Sequence, residues 1–388
     1  MELGMRHRVV KKAAREFASR HVVPVVGQME STGRFPWEVL REMGPLGYLG
    51  LQVAPELGGA GLDGLAAVIV VEEVSRCSGA LGLLLAVHNG VVANPLMRFG
   101  SHEQKEKFLR PLAKGEAIGA FCLTEANAGS DAGAIHTAAV QDGDGLLLNG
   151  SKVFVTNGGV AGIALVFART SLTGSIRETS LLIVEAHRKG FIRGPVEELC
   201  GMRGNPVCSL SFEDCRVPRE NLLSEPGEGL RIAMAALDAG RVGIAAQALG
   251  IAQACLDASI SYAGERMQFG KPIGSFQAIQ AKVADMAVGV EASRLLTYKA
   301  ACTLDRGGRA TKSSAMAKLF SSQVAVRAAL EAVQIHGGYG YSRAYPVERY
   351  LRDAKVTEIY EGTSEIQRLV IHREMTSHLG TRAGGSSK

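Results

Sequence analysis

The sequence predicts a mainly α-helical protein interrupted once by a small β domain, and three observations carry that reading. Apolar residues recur at helical spacing from about residue 5 to 118 and again from 227 onward. Between them, residues 119–226 break into short apolar runs separated by Gly, Asp, Asn and Ser, the pattern of strands and turns. A chain of 388 residues also exceeds one ordinary core, so two or three domains are expected. The boundaries drawn on this basis are 1–118, 119–226 and 227–388, with the TRAGGSSK tail, about 381–388, expected to be disordered.

In the first zone HRVVKKAAREFASRHV, PWEVLREMGPLG and LAAVIVVEEVSRCSGALGLLLAVHNGVVANPLMRFG have helical period. SHEQKEKFLRPLAKG follows, opened by Ser101 and Gln104 at the S-x-x-Q spacing of a capping box. In the second zone LLLNGSKVFVTNGG, IALVFART, TSLLIVEA and CSLSFEDCRVP read as strands, and QDGDG as a turn. In the third, GLRIAMAALDAGRVGIAAQALGIAQACLDASISYAGERM reads as one helix of roughly 60 Å, a length that suits a bundle sharing its faces with other subunits. IYEGTSEIQ, residues 359–367, places Glu361 in extended chain just ahead of a helix that Ser364 and Gln367 would open with a second capping box. From this stretch alone, Glu361 is either a solvated loop acid or a carboxylate aimed inward.

Composition narrows the class. A hydrophobic content of 46% with 21% charged residues is that of a globular protein, and the net charge of +5 is small for the length. The basic run RHRVVKKAAR reads as the wet face of a first helix; no basic stripe interleaved with aromatics follows it, so nucleic-acid binding is not expected. Seven cysteines, scattered and without a C-x-x-C pair, point to free thiols in a reducing compartment and away from a metal site. The N-terminus lacks the pattern of a secretory signal, no uncharged apolar run is read as reaching the ~20 residues of a membrane span, and a cytoplasmic location is the default. GAGLDG satisfies G-x-G-x-x-G at glycines 59, 61 and 64, but neither a clean strand before it nor an acid about 20 residues on supports a dinucleotide fold; it reads as a glycine-rich surface loop.

The chemistry-bearing signal is distributed. FCLTEANAGSDAGA, residues 121–134, sets Thr124, Ser130 and several backbone N–H groups in a small-residue loop able to grip a polar heterocycle or phosphate oxygens, or else forms an Asx-type turn packed for its own sake. KVFVTNGG, ERMQFGKPIGSFQAIQ, QIHGGYGY and IYEGTSEIQ follow at 152, 265, 334 and 359. In that order and spacing the five motifs resemble the acyl-CoA dehydrogenase family over nearly the whole chain. LDAGRVGIAAQALGIAQ and SGALGLLLAVHNG look most similar to its short-chain, butyryl-CoA type.

The resemblance implies an N-terminal helical domain, a middle β-barrel and a C-terminal four-helix bundle, assembled as a homotetramer and binding FAD without a dinucleotide motif. It implies that Phe121, Leu123 and Thr124 lie against the pyrimidine side of the flavin, with Phe154 on the ring face where the family more usually has Trp, and Thr156 near N5. Ser130, Thr363 and Glu365 are further implied cofactor contacts. Arg266, Gln277, Gln334, Gly337 and Gly338 would hold the cofactor of a neighbouring subunit, Arg266 at the pyrophosphate. Glu361 matches the family's base, which removes the α-proton of an acyl thioester while the β-hydrogen leaves as hydride to the flavin, giving a trans-2-enoyl thioester. Ser130, Asp238, Arg241 and Gly362 would hold the acyl-CoA. Chain length is expected to depend on residues 80 to 90, where Leu83 to His88 suggest a short pocket. The implied electron acceptor is an electron-transferring flavoprotein; an acyl-CoA oxidase, a carrier-protein-linked dehydrogenase and a non-catalytic CoA-ester-binding protein are the alternatives. No membrane insertion is expected.

Overall fold

In the computed structural model, residues 2–170 and 178–380 are described, so the tail expected to be disordered lies outside the described residues. The chain opens with α1 (Met5–Phe17) and α2 (Val23–Thr32), joined by a π-helical turn over Ala18–Val22. Pro24 thereby falls in the first turn of α2, where a missing N–H breaks no helical bond. There follow α3 (Trp37–Met43), α4 (Gly64–Cys77) and α5 (Gly79–Val87), and after a second π-helical turn α6 (Asn94–Phe99), α7 (His102–Gln104) and α8 (Arg110–Lys114). Ser101 and Gln104 form the capping box that their spacing predicts. The GAGLDG segment is a loop that ends at Asp63, whose carboxylate accepts from the Ala66 N–H and caps α4.

The middle zone holds β1 (Gly119–Cys122), β2 (Ala138–Asp142), β3 (Gly145–Val155), β4 (Ile163–Thr170), β5 (Glu178–Glu185), β6 (Phe191–Val196) and β7 (Cys208–Pro218). β2 and β3 form a hairpin at the predicted QDGDG turn, and β3, β7 and β6 continue it antiparallel. β4 pairs β1 and the end of β2 in parallel and β5 antiparallel. All seven strands turn residues toward one shared core, among them Cys122, Ala139, Leu148, Val166, Val184, Phe191 and Leu210. The short β2 and β6 are absent from the sequence reading: β2 has one buried residue and β6 none, so neither carries an alternating apolar pattern.

The C-terminal zone consists of α9 (Gly229–Glu265), a small hairpin of β8 (Met267–Gln268) and β9 (Lys271–Pro272), and α10 (Gln277–Asp305), α11 (Thr311–His336), α12 (Val347–Val356) and α13 (Ser364–Gly380). The 37-residue α9 bears out the single long helix. It packs on α11 and α10 and also along α4, so the N-terminal helices and the bundle share one continuous apolar core. One expectation is corrected. Gly79–Phe99 (21 residues) and Gly229–Glu265 are long and apolar enough to cross a membrane by length and composition, with 78% and 67% of the apolar windows buried inside the protein. Such burial is what the core helices of a multi-helix protein show.

Candidate active site

The three units meet at a cavity of about 520 Å³. One wall comes from the β domain: Phe121 and Leu123 from β1 and the residue after it, Thr124, Ser130, Phe154 at the end of β3, and Thr156. The opposite wall comes from the bundle: Asp238 and Arg241 on α9, and Glu361 and Gly362 from the turn between α12 and α13. Residues more than 200 positions apart in sequence are thus brought to one slot.

The β wall is braced from behind. Lys152 is fully buried, and its Nζ donates to Glu125 Oε1 at 2.7 Å and to the Leu123 carbonyl at 3.2 Å. Glu125 also accepts from the His136 and Thr137 N–H groups at 2.6 and 2.9 Å, which with Lys152 holds its carboxyl down at about 2 against the opposing effect of burial. In front of this brace Phe154 stands 62% exposed at φ 53°, a left-handed backbone unfavourable for a bulky residue. An aromatic ring held open beside a cavity by strained backbone suits a planar heterocycle laid against it.

Glu361 differs from its sequence reading in local conformation. It lies in a run of turns after α12, at φ 53°, with Gly362 at φ 93° next to it, and not in extended chain. The predicted capping box does not form. α13 begins one residue earlier in its cap: Thr363 Oγ1 accepts from the Ile366 N–H, while the Ser364 hydroxyl is buried without a partner among the described residues. Gln367 instead turns back, its Nε2 donating to the Glu361 and Gly362 carbonyls at 3.2 and 2.8 Å. The Gly362 carbonyl also accepts from Lys318 Nζ at 2.8 Å. Tyr360 donates to Gln247 Oε1 at 2.6 Å, and Gln247 Nε2 reaches the Gly79 carbonyl at 2.8 Å, which ties the turn to α9 and α5.

These bonds set Glu361 at the edge of the slot, with its carboxyl group packed against Gly240 of α9. Both carboxyl oxygens are sealed from solvent and lack hydrogen-bond partners among the described residues. Burial pushes the carboxyl up to about 8, against the lowering pull of Arg241 and Lys318. Room for it exists because position 240 is glycine: a β-carbon there would stand 1.9 Å from Glu361 Oε2. Arg241, 5% exposed, donates to Asp238 Oδ1 at 2.9 Å and leaves its Nε buried and unpaired, while Asp238 Oδ2 accepts from Thr311 at 2.6 Å. Glu361 and Arg241 therefore supply an acceptor, a base and a donor to whatever fills the cavity.

Other expected residues lie elsewhere. Arg266, Gly337 and Gly338 line a separate open cleft, with Arg266 over the Tyr339 ring at 5.9 Å. Gln277 starts α10 and Gln334 sits near the end of α11, both exposed and outside the cavity within this chain. Thr363 serves as a cap and Glu365 is exposed; neither lines the cavity. Of the expected pocket residues at 80 to 90 only some reach the cavity: Leu83 and Leu84 are sealed in the core and His88 bonds the Leu112 carbonyl and the Gly119 N–H. Val87 and Val91 are the ones that reach the cavity. The sequence reading missed Gly240, Lys318, Tyr360, Arg309 and Arg373. For Lys318 a signal existed, a lone charge on the apolar face of AMAKLF.

Comparison with known proteins agrees with this geometry. Residues 5–116, 120–215 and 227–376 match the models of the N-terminal, middle and C-terminal domains of acyl-CoA dehydrogenase. The chain is 47% identical to the short-chain specific acyl-CoA dehydrogenase of Clostridium acetobutylicum, over 94% of this chain and 96% of that one. The butyryl-CoA dehydrogenase structure from Megasphaera elsdenii superposes with a TM-score of 0.94 at 42% identity, covering 97% of this chain and 99% of the other. A chain solved with the electron transferring flavoprotein of Acidaminococcus fermentans as its subject matches with a TM-score of 0.94 at 44% identity, again over 97% and 99%. Three family domains in register, and relatives that align end to end, show that the chain belongs to the acyl-CoA dehydrogenases, oxidoreductases that carry FAD.

Proposed function

We propose that the protein oxidises a short-chain acyl-CoA to the trans-2-enoyl-CoA, with Glu361 as the base that takes the α-proton. An α-C–H is too weak an acid for an ordinary carboxylate. Desolvation raises the base toward the operating pH, as burial does for Glu361, and a donor at the thioester oxygen stabilises the enolate-like charge. The Glu361 backbone N–H, on a residue that borders the slot, would serve as that donor. FAD, when bound, supplies the acceptor for the β-hydride, and Phe121, Leu123, Thr124, Phe154 and Thr156 would hold its ring on the side facing Glu361. Asp238, Arg241 and Ser130 would fix the thioester's CoA arm, and Val87 and Val91 close the slot against long acyl groups.

The single observation that carries this reading is a buried carboxylate, without a hydrogen-bond partner among the described residues, on a residue that borders the same slot as the aromatic wall. Exposed Arg266, Gln277, Gln334, Gly337 and Gly338, together with Phe269 and Tyr341 at 90% exposure and Val288 at 71%, support contact with further copies of the chain, in a homotetramer that completes each cofactor site. An electron-transferring flavoprotein is the proposed acceptor and the cytoplasm the proposed location, supported by the bacterial relatives. The test is anaerobic addition of butyryl-CoA to the purified yellow protein. Bleaching of the flavin band is expected, and Glu361→Gln should bind flavin and acyl-CoA yet slow bleaching by several powers of ten; near-normal bleaching in that variant would reassign the base.

A further inference from the structure

We propose that Lys318 is the positioning residue of the base: from inside the bundle its ammonium clamps the 361–362 turn and sets a positive charge behind the segment that carries Glu361. The inference rests on Glu361 being the base. Lys318 lies on α11, completely buried, and its hydrogen-bond partner is a neutral carbonyl, that of Gly362, at 2.8 Å. A buried ammonium is costly unless something compensates it. Hydrogen bonding alone does not explain its presence, because the same carbonyl already accepts from Gln367 Nε2 at 2.8 Å. A neutral side chain would leave that oxygen satisfied.

What a neutral side chain would lack is charge. Burial lowers the Lys318 ammonium to about 8; Glu361 of the turn pulls it back up most strongly, Glu358 of the turn and Glu365 of α13 do so less, and Arg241 of α9 adds to the lowering. In return Lys318 draws the Glu361 carboxyl downward, alongside Arg241. The backbone supplies the other half of the role. Glu361 and Gly362 are consecutive left-handed residues, at φ 53° and 93°, and a non-glycine residue holds such a conformation only where its surroundings over-determine it. Lys318 and Gln367 grip the two carbonyls of that turn from opposite helices, α11 and α13. The path of the turn that carries the Glu361 side chain follows from this grip.

The test compares Lys318→Gln, a neutral donor, and Lys318→Met, a neutral side chain of similar length, with the wild type, all as FAD-loaded protein. The first readout is the infrared carboxyl band of Glu361, assigned by its loss in Glu361→Gln and followed against pH. Loss of a nearby positive charge should move its titration upward by about one unit in both variants. The second is the pH profile of flavin reduction by butyryl-CoA, in which the rate at neutral pH should fall about tenfold and recover as the pH rises. Lys318→Met, which leaves the carbonyl to Gln367 alone, should stay slower than Lys318→Gln at high pH. An unmoved carboxyl titration in both variants overturns the proposal. So does failure of both to fold with flavin, which would mark Lys318 as structural only. A wild type that butyryl-CoA does not bleach, but whose infrared band still shifts on substitution, would retire the short-chain substrate reading and leave the Lys318–Glu361 coupling standing.

Discussion

Gly240→Ala tests the site with the smallest possible perturbation. The added methyl would stand 1.9 Å from Glu361 Oε2, 2.6 Å from Glu361 Cδ and 2.6 Å from Val91 Cγ1. Non-bonded heavy atoms need about 3.5 Å, so the carboxyl must withdraw by roughly 1.5 Å. It is the free end of a flexible side chain and can do so. Stability should fall by about 0–2 kcal/mol: alanine in a helix gains about 1 kcal/mol over glycine, set against about 1–3 kcal/mol of crowding at the stiff Val91. Catalysis has no such tolerance, since misplacement by about 1 Å can cost about a hundredfold. Stopped-flow reduction by butyryl-CoA without oxygen should slow by at least about a hundredfold, about 2.7 kcal/mol of barrier, while flavin content is unchanged. Added to Glu361→Gln, the same methyl should cost little more, because the displaced group is already inactive. Reduction within a factor of about three of wild type would refute the placement of the base against α9.

The raised carboxyl also makes pH predictions. Flavin reduction should accelerate as the pH rises through about 8, and because folding raises Glu361 above its ordinary 4.5, the stability of wild type relative to Glu361→Gln should be greatest below about pH 4.5 and decline up to about 8. Thermal unfolding of both proteins from pH 5 to 9 reads this, and a constant difference would contradict it. At the start of α13, Thr363→Ala should lower stability by about 1 kcal/mol, whereas Ser364→Ala should be neutral or stabilising because its hydroxyl is buried without a partner among the described residues. The reverse order, measured by denaturant unfolding, would restore the capping box that the sequence suggests. Lys152→Met strands the buried Glu125 and should cost about 3–5 kcal/mol, seen as a lower denaturation midpoint; a loss under 1 kcal/mol would mean that the brace behind β1 contributes little.

Much of the architecture was legible because long elements carry their own signal. α9 shows 37 residues of uninterrupted helical composition, and β3, β4, β5 and β7 are apolar runs bounded by turn residues. β2 and β6 were not legible, since the pattern of an exposed or two-faced short strand is weak. Thr363 and Ser364 compete for the same cap at adjacent positions, and only the path of the preceding turn chooses between them. Leu83 to His88 are bulky in sequence, yet the rotation of their helix sends Leu83, Leu84 and His88 into the core and leaves Val87 and Val91 at the slot.

By itself the sequence determined the order of helical and β units and the motif in which the Glu361 carboxylate sits, because both are written in neighbouring residues. The tertiary structure alone decided that this carboxylate is dry, that Gly240 makes room for it and that Lys318 stands behind it. Desolvation and charge act through space, and the groups that exert them on Glu361 come from helices far away along the chain.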